Sequence, residues 1–281
     1  MVWGGSIVAQ KIALGAFSAV EVSVFRGLGA LVILLPMWWW QDTTNISWSA
    51  REIGVLSMLG IGVLGNHLLV LYGLHYIGAG AAGIIMGASP AITAFLSSLL
   101  LKEIPFKQVW VGCLLSFGGV ACVSGMKPGS SMGDNPLLGG TLIVFALISW
   151  ALYTIGSRRV MERLSPLTVN WTTLFISIIL QLPLLWTDHK VLTAGLASIP
   201  VSGWIALAYV IIFATAIGQQ AWLYGVSGIG ASRAGMFVNL IPVSALFFSA
   251  IILAESIEVW DIIGIGLILL GVWLVNKSSL V

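Results

Sequence analysis

Two stretches of this chain decide its fold: residues 71–90 read LYGLHYIGAGAAGIIMGASP, and residues 223–242 read LYGVSGIGASRAGMFVNLIP. Both belong to a longer match, in which residues 71–120 align with residues 223–272 without a gap at an offset of 152 positions. Seventeen of the fifty aligned positions are identical, and they include the pairs Tyr72/Tyr224, Gly73/Gly225, Gly78/Gly230, Gly83/Gly235, Pro90/Pro242, Glu103/Glu255 and Gly112/Gly264. The second half of the chain therefore repeats the first.

A weaker match extends the repeat towards the start of each half. At an offset of 147 it aligns Trp3 with Trp150, Ser18 with Ser165, Pro36 with Pro183 and Trp39 with Trp186. A turn-rich connector over residues 126–136 separates the two copies, because its Gly, Pro, Ser and Asn residues favour loops. We therefore predict one repeat over residues 1–128 and a second over residues 136–277.

The composition excludes a water-soluble protein. Hydrophobic residues make up 59% of the chain, charged residues 8%, and the mean hydropathy is +1.06, whereas soluble domains carry about 25% charged residues. The net charge of +2 is too small to indicate a nucleic-acid partner. Cys113 and Cys122 lie in one apolar segment and have the spacing of neither a metal site nor a disulfide framework, so we expect no cofactor and no metal.

Ten apolar segments are long enough to cross a hydrocarbon core, which takes about 20 residues. We place them at approximately residues 1–17, 19–40, 52–74, 78–101, 106–126, 136–157, 167–187, 200–224, 229–254 and 258–276. They must be helices, because each backbone polar group in lipid needs a partner within its own segment. The sequence thus predicts an all-α integral membrane protein with five helices in each repeat.

The basic residues indicate how these helices are oriented. With both termini in the cytoplasm, the inner loops and tail hold Arg51, Lys102, Lys107, Arg158, Arg159, Arg163, Arg233 and Lys277, whereas the outer loops hold Lys127 and Lys190. This bias follows the positive-inside rule and predicts a multi-pass membrane protein with both termini in the cytoplasm. The chain opens directly into an apolar segment, so we expect no cleavable signal peptide.

An odd number of spans per repeat has a functional consequence. The second repeat must enter the bilayer upside down relative to the first. Inverted repeats of this kind are how many secondary transporters build two alternative openings, with the substrate site near the midplane between the halves. The duplication therefore indicates a transporter that works by alternating access.

Candidate residues for transport are polar or aromatic groups inside the spans. Lys11 and Arg26 are basic residues in or beside apolar segments, where a charge costs about 2.5–3.5 kcal/mol on insertion scales. The structural alternative is that these side chains snorkel to the membrane interface, or that Arg26 forms an ion pair with Glu21 at the outer interface. Trp150 and Tyr153 share one helical face, which suits a solute with an aromatic body and a polar head.

The complete set of predicted substrate-binding residues combines basic, amide, imidazole, thioether and aromatic side chains. It consists of Gln10, Lys11, Asn66, His67, Tyr72, Met86, Trp150, Tyr153, Gln219, Gln220, Tyr224 and Asn239. Helix–helix hydrogen bonding and ordinary packing are the alternative roles for each of them. Pro90 and Pro242 occupy equivalent positions and are predicted hinges, because proline removes a backbone donor and kinks a helix. They are otherwise relics of the duplication that only shape the bundle.

A family resemblance runs along the whole chain. It is carried by Trp3–Gly4 through Lys11, by Arg26 with Gly27–Ala30, and by the blocks Pro90…Glu103…Gly112…Gly119 and Pro242…Glu255…Gly264…Gly271. In these features the chain resembles the EamA-type branch of the drug/metabolite transporter superfamily, and it is most similar there to bacterial aromatic amino acid exporters. The resemblance implies ten helices, cytoplasmic termini, a central cavity mostly from helices 1, 3, 4, 6, 8 and 9, and peripheral helices 5 and 10.

With this resemblance, the leading functional hypothesis is a monomeric exporter in the bacterial inner membrane. It transports amino acids, above all aromatic ones, or similar small metabolites by alternating access, and its other partner is membrane lipid. A broad exporter of drugs or organic cations is the alternative within the same fold, but deep acidic residues that would pair with a cation are scarce. An intramembrane enzyme is the remote alternative. Its one signal is Ser89 in the stretch Gly87–Pro90, and no base or orienting group can be assigned to that serine from the sequence.

Overall fold

The computed structural model describes residues 2–41, 49–77, 82, 85–101, 107–125, 134–188, 195, 198–241, 243–244 and 259–277. Within these ranges every regular element is a helix and no strand occurs. The helices of the first half are α1 (Val2–Ala16), α2 (Ala19–Trp40), α3 (Ala50–Tyr76), α4 (Ser89–Leu101) and α5 (Lys107–Gly125). This part of the prediction, an all-helical chain, is confirmed.

The helices of the second half are less regular than those of the first. α6 is Pro136–Val160, and α7 is Pro166–Gln181 with a 3₁₀ extension, Leu182–Trp186. α8 consists of an α segment (Val201–Tyr209), a π segment (Val210–Gln219) and a second α segment (Gln220–Ile229). α9 consists of the α segment Ala231–Met236 and the 3₁₀ turn Phe237–Asn239. α10 is Val259–Lys277. A ten-residue π segment is unusual, because π geometry mostly occurs as single turns, often at functional sites.

Five of these helices are long and apolar enough to cross a membrane: α2, α3, α6, α7 with its 3₁₀ extension, and α8. Shorter apolar stretches occur in α4, α5 and α10. Since a hydrocarbon core of about 30 Å takes about 20 residues of helix, the described part of the chain crosses a bilayer several times.

Local sequence signals set the helix starts. Ser18 and Ser49 each cap a helix through a capping box, with Glu21 and Glu52 three residues later returning the bond to the cap backbone. Ser165 caps α7 and is followed by a proline in the first helical turn, where its missing N–H costs nothing. These caps satisfy backbone donors that would otherwise be stranded at the membrane boundary.

One predicted span is interrupted by a turn. Within the apolar segment 78–101, residues 82, 85 and 86 are helical, residues 87–88 form a turn, and α4 then runs from Ser89 to Leu101. Pro90 is the second residue of that helix, because proline is well placed in a first turn and disruptive further inside. The equivalent Pro242 lies outside the described residues.

Equivalent helices of the two halves pack against each other in antiparallel pairs. A Cβ added at Gly119 of α5 would lie 2.5 Å from the Gly264 carbonyl oxygen of α10, and one at Gly271 would lie 2.5 Å from the Gly112 carbonyl oxygen. Because Gly119 corresponds to Gly271 and Gly112 to Gly264, the two contacts are images of one another. This reciprocity describes a local twofold axis, and the glycines allow the two backbones to approach closely.

The pair α2–α7 shows the same relation at a different place. Ser18 donates its hydroxyl to the Asp188 carbonyl at 2.9 Å, and Ser165 donates to Gln41 Oε1 at 2.8 Å. At the offset of 147, Ser18 corresponds to Ser165 and Gln41 to Asp188. The start of each helix therefore contacts the end of its partner, so α2 and α7 also run antiparallel.

The remaining long helices pair across the halves. α3 packs along α6, with the Asn66 amide donating to the Ala146 carbonyl at 3.0 Å and Ser149 donating to the Gly62 carbonyl at 2.9 Å. α8 packs along α1, with the Trp3 indole donating to the Ala214 carbonyl at 2.9 Å. These contacts give the first and sixth helices equivalent surroundings. Side chains of both halves pack together between them in one core, which we call the interior.

Candidate functional site

Three tryptophans from three helices meet inside the bundle. Trp3 of α1 and Trp150 of α6, which are repeat equivalents, have ring centroids 5.8 Å apart at a near-perpendicular angle. Trp222 of α8 lies 5.4 Å from Trp3 and 5.7 Å from Trp150, and Tyr153 lies 5.3 Å from Trp150. We call these four rings the aromatic cluster. It brings ring faces from both halves to one place, an arrangement that favours aromatic or apolar groups.

Polar side chains border the aromatic cluster. Tyr153 is fully buried, and its hydroxyl accepts a hydrogen bond from Gln219 Nε2 at 3.3 Å. The Trp222 indole donates to Thr154 Oγ1 at 3.3 Å. Apolar ring surface and satisfied polar tips therefore adjoin each other, as is typical of small-molecule sites that orient an amphiphilic ligand.

A buried cation lies on α2, against the π segment of α8. Arg26 is 8% exposed, and its Nε donates to Thr215 Oγ1 at 3.0 Å. Thr215 in turn donates its hydroxyl to the Val210 carbonyl at 2.8 Å, five residues earlier. The threonine hydroxyl thus links the guanidinium to the backbone of the π segment, and its accepting lone pair is directed at Arg26.

A second polar pair joins α7 to α8. Asn170 Nδ2 donates to Gln220 Oε1 at 2.9 Å, and both side chains are buried. Among the described residues, Asn170 Oδ1 and Gln220 Nε2 have no hydrogen-bond partner. Unpaired amide atoms in an apolar interior cost free energy, so this pair marks a second polar position between α7 and α8.

The structure brings part of the predicted residue set into this interior. Trp150, Tyr153 and Gln219 belong to or touch the aromatic cluster, and Gln220 lies one residue further along α8. Gln10 is buried and donates to the Ser6 carbonyl within α1, while His67 is buried on α3. Asn66 bonds to α6, and Met86 packs beside α3 and α6; both contacts are of the kind that holds helices together.

Other predicted residues lie apart from the aromatic cluster. Lys11 is exposed, Tyr224 is 52% exposed, and Tyr72 reaches Asp188 at 3.1 Å through its hydroxyl. Asn239, in the 3₁₀ turn of α9, is buried, and neither of its amide atoms has a partner among the described residues. The predicted site therefore divides into an interior group and an outlying group.

Sequence reasoning omitted several residues that the structure brings into the interior. Trp3 and Trp222 complete the aromatic cluster, and Thr215 holds Arg26. For Trp3, the alignment with Trp150 at the offset of 147 was a usable signal. For Thr215 no periodic signal exists, because the π segment places residues five apart, instead of four, in hydrogen-bonding range.

The two ends of the bundle differ in their contacts. One end of the bundle holds the last turns of α6 and α8, and we call it the Arg158 end. There Arg158 Nη1 donates to the Ser227 carbonyl, and Arg159 Nη2 donates to the Leu100 carbonyl at 2.7 Å. At the opposite end, the Asp188 end, the Asp188 carboxylate accepts from the Tyr72 hydroxyl at 3.1 Å. The Arg158 end thus ties α6 to α8 directly.

Apolar spanning helices around an interior with polar and aromatic groups define a multi-pass membrane protein. Comparison with known proteins gives its family. The model of the EamA-like transporter family matches residues 1–125 and again residues 137–277. The chain belongs to this family, which indicates a transporter of small molecules instead of an enzyme.

Relatives of similar length occur in bacteria and archaea. The uncharacterized transporter YyaM of Bacillus subtilis is 29% identical over 272 residues, which cover 96% of this chain and 88% of that protein. An uncharacterized transporter of Archaeoglobus fulgidus is 27% identical over 283 residues, covering 98% and 95%. A protein of known crystal structure superposes with a TM-score of 0.79 at 16% identity, over 99% of this chain and 93% of that one, and so shares its fold.

Proposed function

We propose that this protein is a secondary transporter that works by alternating access. It exports amino acids, above all aromatic amino acids, or similar small metabolites across the bacterial inner membrane. The observation that carries the proposal is the aromatic cluster. Trp3 and Trp150, equivalent residues of the two halves, meet there beside Tyr153 and the Gln219 amide. Ring surface next to hydrogen-bonding groups fits a solute with an aromatic side chain and a polar head.

The proposed mechanism needs two inverted five-helix repeats, residues 1–128 and residues 136–277. The antiparallel pairing of α5 with α10 and of α2 with α7 supports this arrangement, because equivalent helices of inverted repeats point in opposite directions. Both termini then lie on one side of the membrane, which the distribution of Lys and Arg identifies as the cytoplasm. The protein acts as a monomer, and lipid surrounds its outer faces.

We assign the predicted residues two roles in this mechanism. Gln10, His67, Trp150, Tyr153, Gln219 and Gln220 contact the solute in the interior, while Lys11, Asn66, Tyr72, Met86, Tyr224 and Asn239 line its path or adjust as the halves move. Pro90 is the second residue of α4, directly after the turn at residues 87–88 and Ser89, a position that suits a hinge. Pro242 is its proposed counterpart.

The test is a flux assay in proteoliposomes with radiolabelled phenylalanine and tryptophan. We expect uptake above that of empty vesicles, saturable and competed by the unlabelled amino acid. Trp150→Ala should raise the KM by roughly twofold to tenfold, because an aromatic pair contributes about 0.5–1.5 kcal/mol beyond its buried area. Phe145→Ala, on the exposed face of the same helix, is the matched control and should leave the KM unchanged. Uptake equal to that of empty vesicles would reject the proposed substrates.

A panel of cationic drugs in the same assay separates this proposal from a broad organic-cation exporter. The buried Arg26 disfavours a permanent cation, because like charges repel strongly in an apolar interior. Amino acids should therefore compete with the labelled substrate, whereas quaternary ammonium compounds should not. The reverse order of competition would favour the cation exporter.

A further inference from the structure

Arg26 is a buried cation whose charge is not neutralised within the described structure. It is 8% exposed, and its Nε donates a hydrogen bond to Thr215 Oγ1 at 3.0 Å. Among the described residues, no Asp or Glu forms an ion pair with Arg26. Arginine keeps its charge in proteins, and a charge at membrane depth is rare unless it has a partner or a function. The missing counter-charge is therefore expected from a ligand.

We propose that Arg26 binds the carboxylate of the transported solute and that Thr215 positions the guanidinium for it. This inference rests on the proposed function, because it assigns one group of the same solute to one residue. With Nε bound to Thr215, the two terminal nitrogens of the guanidinium remain for the solute. Their planar fork matches the two oxygens of a carboxylate.

Thr215 is held firmly enough to fix this geometry. It is fully buried, and its hydroxyl proton is engaged by the Val210 carbonyl at 2.8 Å. The hydroxyl can therefore only accept from Arg26. The π segment makes this possible, because it brings the carbonyl five residues earlier within reach of the Thr215 side chain. Thr215 is thus a positioning residue that need not touch the solute.

Arg26 of α2 and the aromatic cluster both contact the same face of α8. Thr215 and Gln219 are four residues apart in the π segment, one turn from each other. Gln219 bonds to Tyr153, whose ring lies 5.3 Å from that of Trp150. A carboxylate on Arg26 therefore directs the rest of a small solute towards the aromatic cluster.

The competing role for Arg26 is a structural tie between α2 and α8. The two roles predict different patterns of loss. A structural tie affects every substrate alike and lowers the stability of the empty protein. A carboxylate contact affects solutes that carry a carboxylate and spares those that lack it. The decisive readout is therefore the ratio of the KM values for two solutes that differ in this group alone.

The experiment compares labelled phenylalanine with phenylalaninamide in proteoliposomes of the wild type, Arg26→Gln, Arg26→Lys and Thr215→Val. Arg51→Gln, which removes an exposed cation at the start of α3, is the control. For Arg26→Gln we expect the KM for phenylalanine to rise by roughly tenfold to a hundredfold. The KM for the amide should not rise, because the protonated amide is a cation without a carboxylate and gains nothing from Arg26. Arg26→Lys and Thr215→Val should give smaller changes of the same kind, about threefold to tenfold.

Two results would overturn the inference. One is an equal rise in the KM for phenylalanine and its amide in Arg26→Gln; the other is no rise in either. If Arg26→Gln does not elute as a folded protein, the ratio is measured in Arg26→Lys and Thr215→Val. There an unchanged ratio counts against the carboxylate contact and a shifted ratio supports it.

A separate measurement distinguishes this failure from failure of the proposed substrates. Should the wild type transport neither compound, purified protein is heated with and without 3-phenylpropionate, which keeps the carboxylate and the ring. A rise in melting temperature for the wild type that is absent in Arg26→Gln supports the carboxylate contact even though the amino-acid hypothesis has failed. Equal shifts, or none in either protein, reject the contact as well.

Discussion

The Arg158 end and the Asp188 end of the bundle contain equivalent residues in unequal surroundings. By the two offsets, Arg158 corresponds to Lys11 and Ser227 corresponds to His75. Arg158 donates to the Ser227 carbonyl and joins α6 to α8. Lys11 and His75 are both exposed, and no hydrogen bond between the Lys11 amine and the His75 carbonyl occurs among the described residues. The same contact is thus made at one end and absent at the other.

This difference shows that sequence equivalence does not impose conformational equivalence. Each half supplies a basic residue on its first helix and a carbonyl near the end of its third helix. In the described state only the second half uses them. If the protein alternates between two openings, the first half should form its version of the contact when the second half releases its own. The asymmetry of the described state therefore predicts which contacts the opposite state should form.

The largest effect on stability is expected at the symmetrical contact between α5 and α10. Gly119→Ala and Gly271→Ala should each destabilise the protein by about 3 kcal/mol or more, because the added Cβ would lie 2.5 Å from a carbonyl oxygen of the facing helix. Gly118→Ala is the matched control, since nothing lies within 4 Å of its added Cβ. Thermal unfolding in detergent, followed by size-exclusion chromatography, measures all three.

Equal losses of stability in Gly119→Ala and Gly271→Ala would show that the α5–α10 contact is symmetrical in solution. A loss at one glycine and none at the other would contradict the reciprocal packing. A loss at Gly118 comparable to that at Gly119 would show that helix propensity or lipid contact, and not the facing helix, sets the cost.

A smaller effect is expected at the contact that is made at one end only. Arg158→Gln should shift the equilibrium towards opening of the Arg158 end by about 1.5–3 kcal/mol, the usual contribution of a hydrogen bond from a charged group. Lys11→Gln should leave the described state unchanged, because Lys11 is exposed there. Labelling of a single cysteine introduced at Ser227 measures the opening. Equal labelling in both variants would mean that Arg158 does not hold this end closed.

The smallest effect is expected at the equivalent helix caps. Ser18→Ala and Ser165→Ala should each cost about 1 kcal/mol, since each removes an N-cap and one contact to the partner helix. The two losses should be similar and should add in the double variant, because the sites lie at opposite ends of the α2–α7 pair. Chemical or thermal unfolding of the three variants checks this. A strongly unequal pair would show that the two ends are held differently here as well.

Much of the fold was predictable because it depends on hydropathy and on the duplication. α2 begins at Ala19 and ends at Trp40, at the predicted bounds, because Ser18 and Glu21 form a capping box that is visible in the sequence. The start of α4 at Ser89 was not predictable from hydropathy, since the apolar run continues unbroken through the turn before it. Hydropathy reports the length of an apolar stretch and not where its backbone departs from a helix.

The candidate site was predictable in residue type but only partly in membership. Trp150, Tyr153 and Gln219 were identified from ring surface and polarity inside spans, and the structure places them together. Thr215 was missed because its role depends on π geometry, which changes which residues share a face. Tyr224 was included as an aromatic residue deep in a predicted span, yet it is exposed. The depth of a residue along a span does not predict whether its side chain points towards the interior.

The exchange of contacts between the two ends is tested most directly by paired cross-linking. One cysteine pair replaces Arg158 and Ser227, and the other replaces Lys11 and His75, both in a background with Cys113→Ala and Cys122→Ala. A short bifunctional maleimide is applied in vesicles with and without phenylalanine under turnover. We predict that the first pair cross-links at rest, and that turnover lowers its yield while the second pair begins to cross-link. Simultaneous cross-linking of both pairs in one molecule, or a second pair that never reacts while transport proceeds, would contradict the account.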